Sequence, residues 1–340
     1  MVIFACRNIY KRYPPTGSPY KKAFPLWKMA LGRRWSWNPI TFRKNVKAPG
    51  FWSDVYPSKI ANKPHWMDFD DAWVDELARG LSACKVFLWY PLYWLAYGQM
   101  TNNLTSQAAT MRLGGVPNDI VSNLNPIFII ILIPIMDKLV YPAIRKTSFN
   151  FTPIKRITCG FFLASAVMIS ATVTQVYIYR MNPCGDHANG CQDADENTLF
   201  ADISVWVQIL PYGLIGFSEI MASVSSLEYA YTKAPANMKS TVQAVALFMN
   251  ALSSALAQAL VALSEDPLLV WNYGVVAILA AAGGVLFWFD NRKLDANEDR
   301  LNLLPASQHP GKGGIIRDEE QAAPVTPITQ HNLEKKLSHH

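Results

Sequence analysis

"KRITCGFFLASAVMISATVTQVYIY", residues 155–179, carries its only charges on its first two residues, Lys155 and Arg156. A helix that crosses lipid needs about 20 mostly apolar residues, so this stretch is read as a membrane span. Working outward, similar stretches occur at about 81–107, 120–143, 203–231, 240–263 and 267–289, which makes six expected spans. Pro126, Pro134 and Pro211 interrupt two of them. Membrane helices tolerate proline where neighbours satisfy the freed carbonyls. The chain is 51% hydrophobic and 16% charged, the latter well below the roughly 25% of an ordinary soluble domain. The expected fold class is an all-α membrane protein, a six-helix bundle spanning 81–289.

Loop charge sets the direction, because lysine and arginine gather on the cytoplasmic side. Arg145, Lys146, Lys155 and Arg156 mark one side, together with Lys233 and Lys239. "MNPCGDHANGCQDADENT" (181–198) and "SEDP" (264–267) are acidic and mark the other. Both termini are therefore expected in the cytoplasm, and Asn150 in "NFT" is expected to stay unglycosylated. Asn103 in "NLT" lies too near the membrane to be a good acceptor. Cys184 and Cys191 fall in an outer loop, as a disulfide or as two free thiols. A zinc site with His187 and Asp186 ranks third, since a closed structural site takes four ligands; the five cysteines give no CxxC pairing, and no metal is expected.

Residues 1–67 are basic and rich in proline and tryptophan, without a sustained period, and are read as a loop-like cytoplasmic arm. Its tryptophans and cations either contact anionic lipid or are simply solvated. Residues 68–84 form an expected amphipathic helix leading into the first span, with Asp68, Asp70 and Asp71 at the end where the helix dipole favours anions. Residues 290–340 read as a polar, disordered cytoplasmic tail. No cleavable leader is expected. No nucleophile–base pair, phosphate loop or nucleic-acid signature stands out, so neither an enzyme nor a nucleic-acid binder is expected.

The stretch 216–240, "GFSEIMASVSSLEYAYTKAPANMKS", holds two carboxylates. An ionised group at the bilayer centre costs at least roughly 2.5 kcal/mol. Glu219 lies fourteen residues from Lys233, or about 21 Å along a helix, near the midplane. It is either a ligand for a cation or a protonated carboxyl bonded to a neighbouring helix. Glu228, nine positions on, falls on the opposite helix face and near the cytoplasmic end. A gating or structural role with Lys233 or Lys239 suits it.

Several long segments resemble the proton-dependent oligopeptide transporter family, most closely its fungal di- and tripeptide members. They are "LEYAYTKAPANMKS" after "GFSEI", "FNFTPIKRITCG", "NLNPIFIIILIPIMDKLVYP" and "WLAYGQMTNNLTSQAATM". The resemblance runs from about residue 1 to residue 290. It implies a major facilitator fold of two six-helix halves rocking about a central site. "RNIYKRYPPTGSPYKKAF" resembles the segment after the family's sixth span, so the six helices correspond to the second half, and Met1 to Ala5 to the end of the sixth span. The family's first half carries an ExxER motif, a lysine and a signature sequence that bind the proton and the peptide carboxylate. None is among these 340 residues.

The resemblance implies proton-coupled uptake of di- and tripeptides, with protons as coupling ion and no other cofactor. It makes Glu219 the partner of the peptide's amino group. Trp94 and Gln99 become pocket residues, although Trp94 also reads as one lipid-facing aromatic among Trp89, Tyr90, Tyr93 and Tyr97. Asn125 contacts the peptide backbone or satisfies a carbonyl freed by Pro126. Phe248 and Asn250 lie near pocket depth. The family's tryptophan near Ala246 is absent. A carboxylate at 219 disfavours an anionic substrate such as nitrate. The expected surroundings are the lipid bilayer, by implication the plasma membrane, and a first half or another copy of the chain. The alternatives are a half-carrier that binds partners without transporting, and an inactive truncated product.

Overall fold

The computed structural model describes residues 20–48, 50–115, 117, 120–121, 123–147, 151–234 and 238–296. Met1 to Ala5, Asn150 and residues 297–340 lie outside them, and so do the expectations that rest there. Of Lys233 only the backbone is described.

The arm expected to be loop-like contains two helices, α1 (Tyr20–Arg33) and α2 (Pro39–Lys47). Asn38 starts α2, its Oδ1 accepting from the Ile40 amide at 3.0 Å, with Pro39 in the first turn, where its missing N–H costs nothing. Leu26 and Ala30, one turn apart on α1, enter a small core with Val55, Met67, Phe69 and Trp73. Tyr56 donates to Asp75 at 2.6 Å, and that bond, with burial, pushes the phenol up to about 12.

α3 (Asp71–Lys85) is capped by Asp70, whose Oδ1 accepts from the Trp73 amide at 2.9 Å. It continues through a 3₁₀ turn (Val86–Trp89) into α4 (Tyr90–Gly98), a π turn (Met100–Leu104) and α5 (Thr105–Ala109). Then follow α6 (Leu124–Ile135), a π turn (Met136–Val140), α7 (Tyr141–Lys146) and α8 (Pro153–Met181). A 3₁₀ turn (Val205–Gln208) leads to α9 (Ile209–Glu219), a third π turn (Ile220–Val224), α10 (Ser225–Lys233), α11 (Lys239–Ala259) and α12 (Leu269–Ala296).

Five helices among the described residues are long and apolar enough to cross a membrane: 124–144, 153–181, 205–230, 239–259 and 269–292. The expected first span, 81–107, is helical but is not among them. Its tyrosines, tryptophans, Pro91, Gln99, Asn102 and Asn103 dilute its hydropathy. It nevertheless belongs to the bundle, with Tyr90, Tyr93, Leu95 and Ala96 in the main core and α4 packed on α11 and α12. A pair of short strands interrupts the all-α pattern: β1 (Met111–Arg112) pairs in parallel with β2 (Ala201–Ser204).

α8 packs most extensively along α12 and next on α9. Tyr90, Phe161 and Phe287 meet at its centre, with Phe161 stacked on Phe287 at 5.5 Å. Small residues and hydroxyls let the helices approach, as membrane interiors favour. Ser218 Oγ donates to the Gly160 carbonyl at 2.7 Å, and Ser165 Oγ to that of Ala277 at 2.9 Å. The π turns shift the backbone ladder by one residue, and side chains meet carbonyls there: Tyr90 donates to Ala222 at 3.0 Å, and Thr105 to Met100 at 3.1 Å.

Gly160 is the tightest of these contacts, because a Cβ there would stand 2.6 Å from the Ala222 Cβ and 2.8 Å from its backbone nitrogen. Gly160→Ala is expected to destabilise the bundle by about 1–3 kcal/mol, the usual cost of overpacking. Thermal unfolding in detergent checks it. Adding Ala222→Gly should recover part of the loss and not all, since the backbone clash stays.

Candidate functional site

Three helices bring the polar residues together at mid-depth. Glu219 ends α9 where the third π turn begins, and its side chain is half-buried. Asn125 sits in the first turn of α6, just before Pro126, and is 3% exposed. Its Nδ2 donates to Glu219 Oε2 at 3.2 Å. Gly216, one turn before Glu219, makes this approach possible: a Cβ there would lie 3.1 Å from Asn125 Oδ1 and 3.3 Å from Phe128 Cβ.

α4 supplies the third wall. Tyr97 lies near both Glu219 and Asn125, and Tyr93 lies near Glu219. Trp94 meets Tyr97 edge to face at 5.3 Å and Tyr93 at 5.4 Å. Three buried polar atoms here have no hydrogen-bond partner among the described residues: Asn125 Oδ1, an acceptor, Trp94 Nε1, a donor, and the Tyr93 hydroxyl, which can be either. Buried polar groups are nearly always paired, so each is a group still able to take a partner. A carboxylate, an acceptor, a donor and an aromatic wall suit a small molecule with an ammonium group and an amide.

The other expected site residues stand apart from this group. Gln99, 5% exposed, accepts from Asn103 Nδ2 at 2.6 Å, and Asn103 also donates to Ser264 at 3.2 Å. That chain ties the first π turn to the loop before α12. Phe248 is 62% exposed and Asn250 is exposed, both on α11. Glu228 is exposed and pairs with Arg156 of α8 at 3.8 Å, a partner not singled out from sequence. Arg156 also lies over the Tyr141 ring at 4.4 Å, beside a cavity of about 220 Å³ lined by Asp137, Tyr141, Arg156, Ser225 and Glu228.

At the opposite end, Cys184 and Cys191 form a disulfide, which leaves neither sulfur as a thiolate for a metal. Asp266 holds this loop to the bundle, accepting from the Tyr179 hydroxyl at 2.6 Å and the Asn189 amide at 2.7 Å.

Two groups had no prominence in the sequence. Tyr97 could have been found from the spacing of Tyr90, Tyr93 and Tyr97, which places three hydroxyls on one side of a helix. The second is a buried glutamine triad. Gln107 donates to Gln175 at 2.8 Å and to the Ala171 carbonyl at 3.0 Å, and accepts from Gln208 at 2.9 Å. Gln208 stands alone in the apolar run 205–210, which was the available signal, whereas Gln107 and Gln175 lie among threonines and other polar residues.

A family profile described as the POT family matches residues 1–276. The probable peptide transporter ptr2 of Schizosaccharomyces pombe is 39% identical over 337 residues, covering 98% of this chain and 52% of that protein. The peptide transporter PTR_C of Candidozyma auris is 44% identical over 263 residues, covering 76% of this chain and 44% of that protein. The chain thus spans about half the length of the curated relatives it matches. Among solved structures, the POT family transporter PepTSo superposes with a TM-score of 0.63 at 18% identity, covering 86% of this chain and 62% of that one. An auto-inhibited POT family peptide transporter gives 0.59 at 17% identity, covering 86% and 61%. These structures share the fold.

Proposed function

Because this chain belongs to the POT family, we propose that it moves di- and tripeptides across a membrane in symport with protons, as the part of such a carrier equivalent to its second six-helix half. It is an integral membrane protein of a transporter family. Within the proposal the membrane is the plasma membrane and the basic end, with both termini, is cytoplasmic.

The observation that carries this reading is the hydrogen-bonded Glu219–Asn125 pair near Tyr97. The peptide's ammonium group meets Glu219, where a charge-assisted bond offsets part of the desolvation of both ions. Asn125 Nδ2 orients the carboxylate, and Asn125 Oδ1 accepts from a peptide N–H. Trp94 Nε1 donates to a peptide carbonyl. The ring of Trp94 keeps water from the pair, which strengthens it in the low-dielectric interior. The groups that bind the proton in the family belong to the first-half motifs, so Glu219 is assigned to the substrate and not to the coupling ion.

A second reading, a half-carrier that acts through a partner half or a second copy, is favoured by the side of α11 that exposes Leu247, Phe248 and Leu252 along with Asn250. One experiment separates the two. Labelled dipeptide uptake is measured at acidic outside pH in cells without their own peptide transport, with surface expression followed in parallel. Uptake that unlabelled dipeptide suppresses, and its N-acetylated analogue does not, is the expected result, since acetylation removes the charge that Glu219 meets. Well-expressed protein without uptake would sink autonomous transport and leave the half-carrier.

A further inference from the structure

Residues 20–47 contain eight lysines and arginines and no aspartate or glutamate. Two of these cations are ion-paired within the arm, Lys22 with Asp68 at 2.5 Å and Arg34 with Asp54 at 2.6 Å, and Arg33 donates to the Asp54 carbonyl. Lys21, Lys28 and Lys44 are on the exposed side. The apolar residues beside them are turned the wrong way for a soluble helix. On α1, Leu26 and Ala30 face the arm's core, while Phe24 and Trp27 face out, Phe24 being 66% exposed. At 100° per residue, Phe24, Lys21 and Lys28 share the sector opposite Leu26 and Ala30, and Trp27 lies at its flank, 43% exposed. In the turn and first residues that follow, Trp37 is 94% and Ile40 79% exposed, while Trp35 lies edge-on to Phe42.

We propose that this face, from Phe24 to Lys44, is a membrane-surface anchor that lies on anionic lipid, with Trp37 and Ile40 entering the headgroup region. Tryptophan and phenylalanine flanked by lysine are the side chains that favour that boundary. Anionic headgroups complement a segment without a single acid. The arm is also held where such a surface would be. α3 runs from the arm into the bundle without a break in helical path, and Met238, next to the head of α11, is buried in the arm's own core. The arm is thus tied to the bundle end that carries Lys239, and its apolar face has a lipid headgroup layer within reach.

The test uses the full chain reconstituted in vesicles, with Cys6, Cys84 and Cys159 replaced by serine. An environment-sensitive fluorophore is attached at Ile40→Cys or, as a control elsewhere on the arm, at Asn62→Cys. Vesicles of phosphatidylcholine, with or without phosphatidylserine, contain chain-brominated lipid as quencher. The expected result is quenching at position 40 and not at 62, stronger with phosphatidylserine, and lost in the Lys21→Glu, Lys28→Glu, Lys44→Glu variant. Trp37→Ser, which removes a ring that touches almost nothing in the fold, should weaken quenching without disturbing the arm. A fluorophore at 40 that stays as accessible to water as the one at 62 would overturn the anchor and leave the face to a protein partner. Quenching indifferent to phosphatidylserine and to charge reversal would overturn the anionic recognition.

Discussion

Glu219→Gln is expected to abolish dipeptide uptake at substrate concentrations where the unaltered chain, or the carrier it belongs to, is active. Glutamine keeps the shape and one acceptor oxygen, so the Asn125 contact at 3.2 Å and the packing around Gly216 should survive. What disappears is the charge. A hydrogen bond to a charged group contributes about 1.5–3 kcal/mol, which corresponds to roughly 10- to 100-fold in affinity for an ammonium. Glu219→Asp keeps the charge but withdraws it by one methylene from Asn125 and Tyr97. It should retain uptake at a higher half-saturating concentration. Measured on equal amounts of surface protein, the ordering Glu > Asp > Gln is expected. Equal loss in Asp and Gln would mean that geometry and not charge governs the site, and unimpaired uptake in Gln would remove Glu219 from the amino-group role.

The reason Glu219 could be singled out from sequence is that a carboxylate is conspicuous in an apolar run. Its surroundings were far less legible. Asn125 announced itself by standing next to a proline, but its reach to Glu219 depends on Gly216, and nothing local in "YGLIGFSE" says which neighbour that glycine admits. Tyr97 was hidden among five aromatic residues that serve equally well in a core, at a lipid boundary or in a pocket. The uninterrupted span at 155–179 matched the observed helix Pro153–Met181 closely, because continuous hydropathy needs no partner to be read. The aromatic-rich first span was harder, since its tyrosines lower hydropathy while filling the core. The arm's helices were missed because α1 buries only a narrow stripe and exposes Phe24 and Trp27, which scrambles the period on which amphipathic helices are recognised. The π turns are likewise tertiary features. They persist where a hydroxyl from another helix, such as that of Tyr90, meets a displaced carbonyl.

The glutamine triad supports a second large effect, on stability rather than transport. Gln107 is the hinge of the network, giving its Nε2 to Gln175 and to the Ala171 carbonyl and its Oε1 to Gln208. All three side chains are at most 1% exposed and join α5, α8 and the turn before α9. Gln107→Leu removes one side of each contact, leaves the Gln175 carbonyl without its donor and leaves the Gln208 amide only a long contact of 3.5 Å to the Leu104 carbonyl. An orphaned buried polar group costs about 1–3 kcal/mol, although interhelical hydrogen bonds within lipid average nearer 0.6 kcal/mol. Two such groups at the end of the bundle should therefore cost about 1–4 kcal/mol. Cys84 and Cys159 are half-buried free thiols, so the rate at which a thiol-reactive dye labels them on heating reports the loss. Replacing all three glutamines by leucine is the decisive control. Gln208 Oε1 already has no partner, and the triple replacement leaves none of the three amides unpaired. It should recover most of the stability that the single change removes, since exchanging both sides of a buried polar contact for apolar groups is close to neutral. If the triple variant is instead the least stable of the set, the network's value lies in bonds actually made, and the glutamines specify how α5, α8 and α9 register against one another.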